Sequence, residues 1–188
     1  SSDVCSSDLF GPTGIGVLYG DATVLRGMHV YRSGGEMIDK VSFSGTTFND
    51  IPFKFEAGTP NIEGIIALGE ALRWFGNLGW ELIERIEQEQ QIWMKDVVDT
   101  FSELQWIGLA KNRVALYSFA HPHIHAGDIG ALLDQQGVAI RTGHHCTQPL
   151  WESMGIAGTA RASFSLYNTE EDVHRFKAAL VRTLKMLS

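Results

Sequence analysis

The sequence predicts a mixed α/β protein in which strands and helices alternate. Three observations indicate this class. Apolar residues recur at helical spacing in long segments, most clearly over residues 170–187. Short runs rich in Val, Leu, Phe and Tyr, such as residues 114–119, have the length and composition of strands. Turns that contain Gly or Pro separate these segments. The 188 residues, 44% of them apolar, suffice for one large or two small domains.

The same patterns place each element in chain order. The expected extended segments are residues 15–19, 37–43, 53–56, 114–119, 138–141 and 161–166. The expected helices are residues 80–101, 129–136 and 170–187, preceded by a buried helix from Ile62. The apolar and small residues of that first helix are Ile62, Ile65, Ile66, Leu68, Gly69 and Leu72, and Gly76 and Gly79 interrupt it. We expect the strands after Gly79 to form a small antiparallel sheet.

Polarity and periodicity divide the chain into three segments. Residues 1–8 are polar, contain Ser-Ser-Asp twice and lack periodicity, which predicts a foreign or disordered tail. Residues 9–78 read as part of a larger sheet domain, and residues 79–188 as a compact α+β domain. Cys5 lies in the tail and receives no functional role.

Composition excludes several classes of function. The net charge of −7 argues against a nucleic-acid or anionic-membrane surface, which needs clustered Lys and Arg. Two cysteines make no disulfide framework, so a reducing cytosol is the expected compartment. We find no apolar run of membrane length and no signal-peptide pattern at the start.

The strongest candidate site is the run Arg141-Thr-Gly-His-His-Cys146, followed by Arg161. A thiol reacts as a thiolate, which nearby cations favour, and Gly143 indicates a turned or mobile loop. The alternative is a buried structural cysteine, the commoner fate of this residue. Polar neighbours on both sides of Cys146 favour a reactive thiol on a loop.

Two further patterns carry weaker hypotheses. His121, His123 and His125 alternate, so on a strand they would share one face and with Cys146 could bind zinc. Pro122 disfavours a regular strand there, so we expect loop histidines and no metal site. Thr59, before a helix N-terminus, has the setting of a phosphate contact, although such a turn is more often only a helix cap.

Five segments together resemble the SufS-type cysteine desulfurases, which are class V aminotransferase-like enzymes that use pyridoxal 5'-phosphate (PLP). The segments are residues 10–20, 34–38, 55–61, 141–150 and 160–169. They follow the family's order from Leu9 to the C-terminus. The resemblance implies a fold-type I PLP-dependent transferase, here the remnant of a large α/β domain plus a complete C-terminal α+β small domain.

The resemblance also implies roles for particular residues. Cys146 would be the nucleophile that takes sulfur from L-cysteine as a persulfide and releases L-alanine. Arg161 would bind the substrate carboxylate, and Arg141 would order the cysteine loop. Thr59 would reach a PLP phosphate across a homodimer interface. The sulfur would serve Fe–S cluster assembly in the cytoplasm.

Departures from the family pattern shape the prediction. The PLP lysine lies two residues before the position of Phe10, where this chain has Asp8, and the upstream half is absent. Ser33 replaces a usual glycine. We therefore expect a C-terminal half that is inactive alone. Gly127 in His125-Ala-Gly-Asp128 stands where members with a zinc-bearing acceptor have a second His, which favours a SufE-like sulfur acceptor. The alternatives are a selenocysteine lyase, a cysteine sulfinate desulfinase or a non-catalytic binding module.

Overall fold

The computed structural model describes residues 2–5 and 9–188, which form two compact units, Ser1–Gly79 and Trp80–Ser188. In the first unit the elements are β1 (Ser2–Cys5), β2 (Gly16–Tyr19), α1 (Ala22–Gly27), β3 (Ile38–Ser42), β4 (Gly45–Phe48) and α2 (Ile62–Leu78). In the second they are α3 (Trp80–Thr100), β5 (Gln105–Ile107), β6 (Leu116–Ala120), α4 (Ala126–Asp134), β7 (Arg141–Gly143), α5 (Gln148–Ser153), β8 (Thr159–Ser163) and α6 (Glu170–Leu187).

The first unit contains two antiparallel strand pairs and one long helix. β1 pairs with β2, and β3 pairs with β4 in a hairpin. The α2 helix begins at the cap residue Asn61, whose side-chain oxygen accepts a hydrogen bond from the Gly64 amide at 2.9 Å. It ends at Gly79, where φ is +77°, a conformation that favours glycine. Helix α2 thus continues through Gly76, which the sequence pattern had marked as an interruption.

Three expectations for this unit differ from the structure. Residues 2–5, expected to lie in an irregular tail, form β1, because the free edge of β2 offers backbone groups to any extended segment. Residues 53–56, expected to be extended, contain the 3-10 turn Phe53–Phe55, and Asp50 accepts from the amides of Ile51 and Lys54. In α2 only Gly64 and Leu68 are buried, whereas Ile62, Ile65, Ile66 and Leu72 are exposed.

The second unit is built around a four-stranded antiparallel sheet in the order β5-β6-β8-β7. Core residues from β6 and β8 pack with residues of α3, α4 and α6. The buried side chains at the centre of this cluster are Tyr117, Phe119, Ile129, Leu133, Ala160, Phe176 and Leu180. Side chains alternate across a sheet, so Ser118 and Arg161 point away from this core. The predicted antiparallel sheet is present.

Helix α6 has the bounds that the sequence predicts. The amide of Thr169 donates to the carboxylate of Asp172 at 2.9 Å, which closes a capping box at its N-terminus. The hydrogen bonds of Asp172 with the Thr169 amide and then with Asn168 lower the pKa of its carboxyl group below 3.8. The sequence predicts β7 at 138–141, but the strand spans Arg141–Gly143, because Val138 and Ile140 pack against the core without pairing in the sheet.

Within residues 2–5 and 9–188, none of the helices combines the length and hydropathy that a membrane crossing requires.

Candidate functional site

Strands β7 and β8 place two arginines directly opposite each other. Arg141 on β7 pairs with Arg161 on β8, and Arg161 also pairs with Ser118 on β6. Directly opposed residues of an antiparallel pair project from the same face, so both guanidinium groups belong to the face that the core does not cover. Arg141 is exposed and Arg161 is half-buried.

The cysteine loop follows β7 without a break. Gly143 has φ of +111°, and a side chain at Gly158 would lie 3.2 Å from the Gly143 carbonyl oxygen. The loop and the residue before β8 can approach this closely because Gly158 carries no Cβ. His145 and Cys146 then adopt φ of +52° and +62°, the left-handed region that non-glycine residues rarely enter. Two consecutive residues in this region must be held by contacts elsewhere.

Cys146 is exposed, and the Arg141 guanidinium lies beside it. The Nη2 of Arg141 donates to the Cys146 Sγ at 3.6 Å. This contact places a positive charge directly beside the sulfur atom. The structure therefore brings together Arg141 and Cys146, two of the site residues that the sequence predicts.

His144 fixes the middle of the loop through its main chain and its ring. Its carbonyl oxygen accepts from the indole N–H of Trp151 at 2.7 Å and from the Thr147 hydroxyl at 2.9 Å. Its Nε2 lies 3.1 Å from the Ala157 carbonyl oxygen. Trp151 is buried, so the loop is attached to a packed side chain of α5.

His145 lies against β8. Its Nε2 is 2.9 Å from Thr159 Oγ1 and 3.2 Å from the Thr159 carbonyl oxygen, and Thr159 is fully buried. Because a carbonyl can only accept, we assign the ring proton to Nε2. Nδ1 is then a buried acceptor that has no partner among the described residues. Burial, followed by the positive charge of Arg161, lowers the pKa of His145 below 6.5, so the ring stays neutral near neutral pH.

Arg161 has the features of an anion-binding residue. Among the ion pairs of residues 2–5 and 9–188, none involves Arg161 or Arg141. The Nε of Arg161 is buried and has no hydrogen-bond partner within that part of the chain. An unpaired buried donor is costly, so a carboxylate bound here would satisfy a group that the fold leaves unpaired.

Thr59 lies in the first unit, just before the N-terminus of α2. It lines a cavity of about 360 Å3 together with Glu36, Glu56, Gly58 and Ile65. The helix N-terminus and the Thr59 hydroxyl suit a phosphate, whereas two carboxylates oppose one. The lining described for this cavity includes no lysine. Asp8, the residue in the expected lysine position, lies outside the described residues.

Two histidines before α4 accept hydrogen bonds from main-chain amides. Nδ1 of His121 accepts from the amides of His123 and Ile124, and Nδ1 of His125 accepts from the Gly127 amide and caps α4. The part of the chain that the structure describes holds no group of three or more His, Cys, Asp or Glu placed to hold a metal ion.

Sequence reasoning missed two partners of the cysteine loop, Thr159 and Trp151. Each lies on an element that a turn separates from the loop, and neither carries a signal of its own. The pairing of His145 with Thr159 depends on the register of β7 with β8, in which Gly143 opposes Thr159. That register cannot be read from composition or spacing.

Comparison with known proteins assigns the family. The model of the aminotransferase class-V family matches residues 5–176. The chain is 41% identical over 179 residues to a probable cysteine desulfurase of Vibrio cholerae, covering 95% of the chain and 44% of that protein. It is 44% identical over 179 residues to one of Xylella fastidiosa, covering 95% of the chain and 43% of that protein. The chain thus spans less than half the length of these relatives.

Solved structures agree with this assignment. The cysteine desulfurase CsdA of Escherichia coli, in its S-sulfonic acid form, matches with a TM-score of 0.88 and 36% identity, covering 98% of this chain and 46% of that one. The apo cysteine desulfurase of Thermococcus onnurineus matches with a TM-score of 0.88 and 35% identity, covering 97% and 46%. This chain belongs to the aminotransferase class-V family, and its relatives include cysteine desulfurases. The predicted fold-type I class is confirmed.

Proposed function

We propose that this chain is the C-terminal part of a SufS-type cysteine desulfurase. The reaction removes sulfur from L-cysteine, gives L-alanine, and leaves a persulfide on Cys146 that is passed on for Fe–S cluster assembly in the cytoplasm. The observation that carries the proposal is the exposed Cys146 thiol beside Arg141, on a loop that begins at the Arg141–Arg161 pair.

Cys146 is the sulfur acceptor in this proposal. Its Sγ attacks the substrate sulfur as a thiolate, so an S–S bond forms while the substrate C–S bond breaks. The Arg141 guanidinium, 3.6 Å from Sγ, holds the sulfur in position. PLP, when bound, supplies the electron sink that the cleavage of the substrate requires.

Arg161 binds the substrate carboxylate. The unpaired Nε, the half-buried side chain and the planar guanidinium suit a carboxylate contact. Binding there fixes one end of L-cysteine on the sheet face from which the cysteine loop starts.

The residues of this chain fit one end of the cofactor only. Thr59 and the α2 N-terminus offer a contact to the phosphate, which in the proposed homodimer belongs to the other subunit. No described residue of that cavity fits the aldehyde end, since its lining holds no lysine. We propose that the missing contacts come from the upstream part of the enzyme, and that the chain alone is inactive.

Residues 9–78 are proposed to be part of the large domain, and residues 79–188 the complete small domain. The exposed apolar residues of α2 support this division, because they need a cover that the described residues do not provide. If the β2 amides in the isolated chain exchanged hydrogen as slowly as those of β6, the proposal of an incomplete first domain would fail.

The proposed partner is a SufE-like sulfur acceptor. Gly127 supports this choice, because it stands where members of the family with a zinc-bearing acceptor have a second histidine. The test is persulfide transfer to a SufE-like protein compared with a zinc-bearing acceptor, and preference for the zinc protein would contradict the proposal.

A chimera tests the function as a whole. Residues 9–188 would be joined to the N-terminal part of the Vibrio cholerae relative, and the products from L-cysteine would be measured with dithiothreitol present, which reduces the persulfide so that alanine and sulfide can both be counted. We expect both products, and expect Cys146→Ser to lose them. Selenide from selenocysteine, or sulfite from cysteine sulfinate, formed in preference would favour the alternative enzymes. A PLP-loaded chimera that is inactive on all three would favour a non-catalytic role.

A further inference from the structure

The backbone of the cysteine loop is strained at the residue that bears the thiol. Cys146 and His145 both have positive φ, and neither is a glycine. Left-handed conformations of such residues persist only where surrounding contacts hold them. The exposed Cys146 side chain has one polar contact among the described residues, from Arg141, and so does not hold the loop by itself. The contacts that do so must come from its neighbours.

His145 supplies the contact closest to the thiol. Its Nε2 reaches both the hydroxyl and the carbonyl of Thr159, which is fully buried in β8. The other edge of the ring meets Trp151, with the ring centroids 6.1 Å apart and nearly perpendicular. The imidazole is thereby held between a strand and a packed helix, one residue from Cys146.

The charges around the ring keep it in its donating form. Arg161 and Arg141 both disfavour a second proton on the imidazole, and the ring is partly buried. Nδ1 has no partner in the part of the chain that the structure describes, so a proton on it would be buried there without an acceptor from those residues. Neutral His145 therefore keeps Nε2–H directed at Thr159 while the nearby arginines stay charged.

We propose that His145 is a positioning residue that holds Cys146 beside Arg141 by anchoring the cysteine loop to Thr159. It does not touch the substrate in this scheme. This inference rests on the proposed function only in naming the reaction that the Cys146 thiol serves. The positioning itself concerns the geometry of Cys146, Arg141 and β8.

Alkylation of Cys146 tests the inference without the cofactor. Iodoacetate is an anion and iodoacetamide is neutral, and both form a C–S bond with a thiolate while iodide leaves. The ratio of their rates reports whether the thiol lies beside a cation. In the complete 188-residue chain, with labelling read on the Cys146 peptide so that Cys5 does not contribute, we expect a ratio about five-fold above that of a small neutral thiol.

Three substitutions at one position separate positioning from stability. His145→Phe keeps a ring but loses Nε2, and should lower the ratio to that of the small thiol. His145→Gln carries an N–H at similar reach and should keep the ratio. His145→Asn carries the same amide group on a shorter side chain and should lose the raised ratio, although Asn tolerates positive φ better than Phe or Gln does. His174→Gln, on the exposed face of α6, is the matched control and should change nothing.

The outcomes divide cleanly. A ratio that falls in Phe and Asn and survives in Gln supports the proposal. An unchanged ratio in His145→Asn overturns it, because the loop would then be held by backbone preference. If His145→Phe does not fold, the comparison of His145→Asn with His145→Gln is sufficient to test the inference. If the alkylation ratio falls in His145→Phe and His145→Asn but the chimera is inactive, the proposed function is refuted and this inference stands. If the chimera is active but the ratio is unchanged in His145→Asn, this inference is refuted and the proposed function stands.

Discussion

Arg141 and Arg161 occupy directly opposed positions on β7 and β8, so two positive charges share one face of the sheet. Like charges in this arrangement destabilise a sheet. Neither guanidinium has a carboxylate partner among the described residues, so the fold itself does not offset the repulsion. An anion bound between them would do so, and the carboxylate of the proposed substrate is such an anion.

Removal of one charge should therefore stabilise the chain. For Arg141→Gln we expect the free energy of unfolding in urea to rise by about 0.2–0.5 kcal/mol at low salt. The gain should shrink at high salt, where the repulsion is screened. Arg85→Gln is the control, because Arg85 is exposed on α3 near Glu81 and Glu89 and its loss should not stabilise. A loss of stability in Arg141→Gln would show that the repulsion is offset within the chain.

Substitutions at Arg161 and Cys146 should affect different steps in the chimera. Arg161→Ala removes a charge-assisted carboxylate contact of about 1.5–3 kcal/mol, so KM for L-cysteine should rise by about ten- to hundred-fold. Cys146→Ala should abolish sulfur transfer and leave the visible spectral response to L-cysteine unchanged. Arg161→Lys should recover part of the binding. The reverse pattern of effects would show that the two roles are exchanged.

The contact between α4 and β7 should tolerate no added methyl group. A Cβ at Gly130 would lie 2.6 Å from Cγ2 of Thr142, so Gly130→Ala should cost about 1–3 kcal/mol of stability. Thr142→Ser removes that methyl group and should rescue most of the loss. Gly137→Ala is the contrast: φ there is +77° with open space around it, so Thr142→Ser should not rescue it. Additive effects of Gly130→Ala and Thr142→Ser would contradict the contact.

His145 should make stability depend on pH in a defined window. Its folded pKa lies below 6.5, so the unfolded chain binds the proton more readily. The contribution is fully present above pH 6.5 and is lost as the pH falls through the folded pKa. Urea unfolding of His145→Gln should show a flatter pH dependence in that window than the parent chain. Asp172→Asn is the control, because the lowered pKa of Asp172 places its effect below pH 3.8. An unchanged slope in His145→Gln would contradict the burial of the ring.

The isolated chain should form no specific covalent bond with PLP. Asp8 cannot form a Schiff base, and two of the lysines are engaged: Lys54 Nζ donates to the Arg26 carbonyl oxygen, and Lys95 pairs with Asp99. That hydrogen bond to Asp99 raises the pKa of Lys95, which keeps it an unreactive ammonium. After borohydride reduction with PLP, mass mapping should find no dominant pyridoxyl-lysine. A single reproducible adduct in the folded chain would refute this expectation.

The elements that the sequence predicts well carry their own local signals. Helix α6 combines a capping box at Thr169 and Asp172 with an apolar stripe that includes Val173, Phe176 and Leu180, so propensity and packing agree. The Arg141–Cys146 contact was predictable because five residues separate them on one loop.

The elements that the sequence predicts poorly depend on strand pairing and packing with distant parts of the chain. β7 begins three residues later than expected, since Val138 and Ile140 pack on the core while pairing begins at Arg141. Helix α5 was not predicted because it has six residues, too few to show a helical period. The pairing of His145 with Thr159 needs the strand register, which no local signal supplies.

The unequal burial of the two units means that a single melting temperature will not describe this chain. Within the described residues, Met37 and Leu68 are the buried apolar side chains of the first unit, whereas the second unit buries a cluster of sixteen residues. Calorimetry should accordingly resolve a weak early transition and a cooperative later one. Four of the five tryptophans lie in the second unit, so fluorescence will mainly follow the unfolding of the unit that carries Cys146, and Trp74 alone will report on the other.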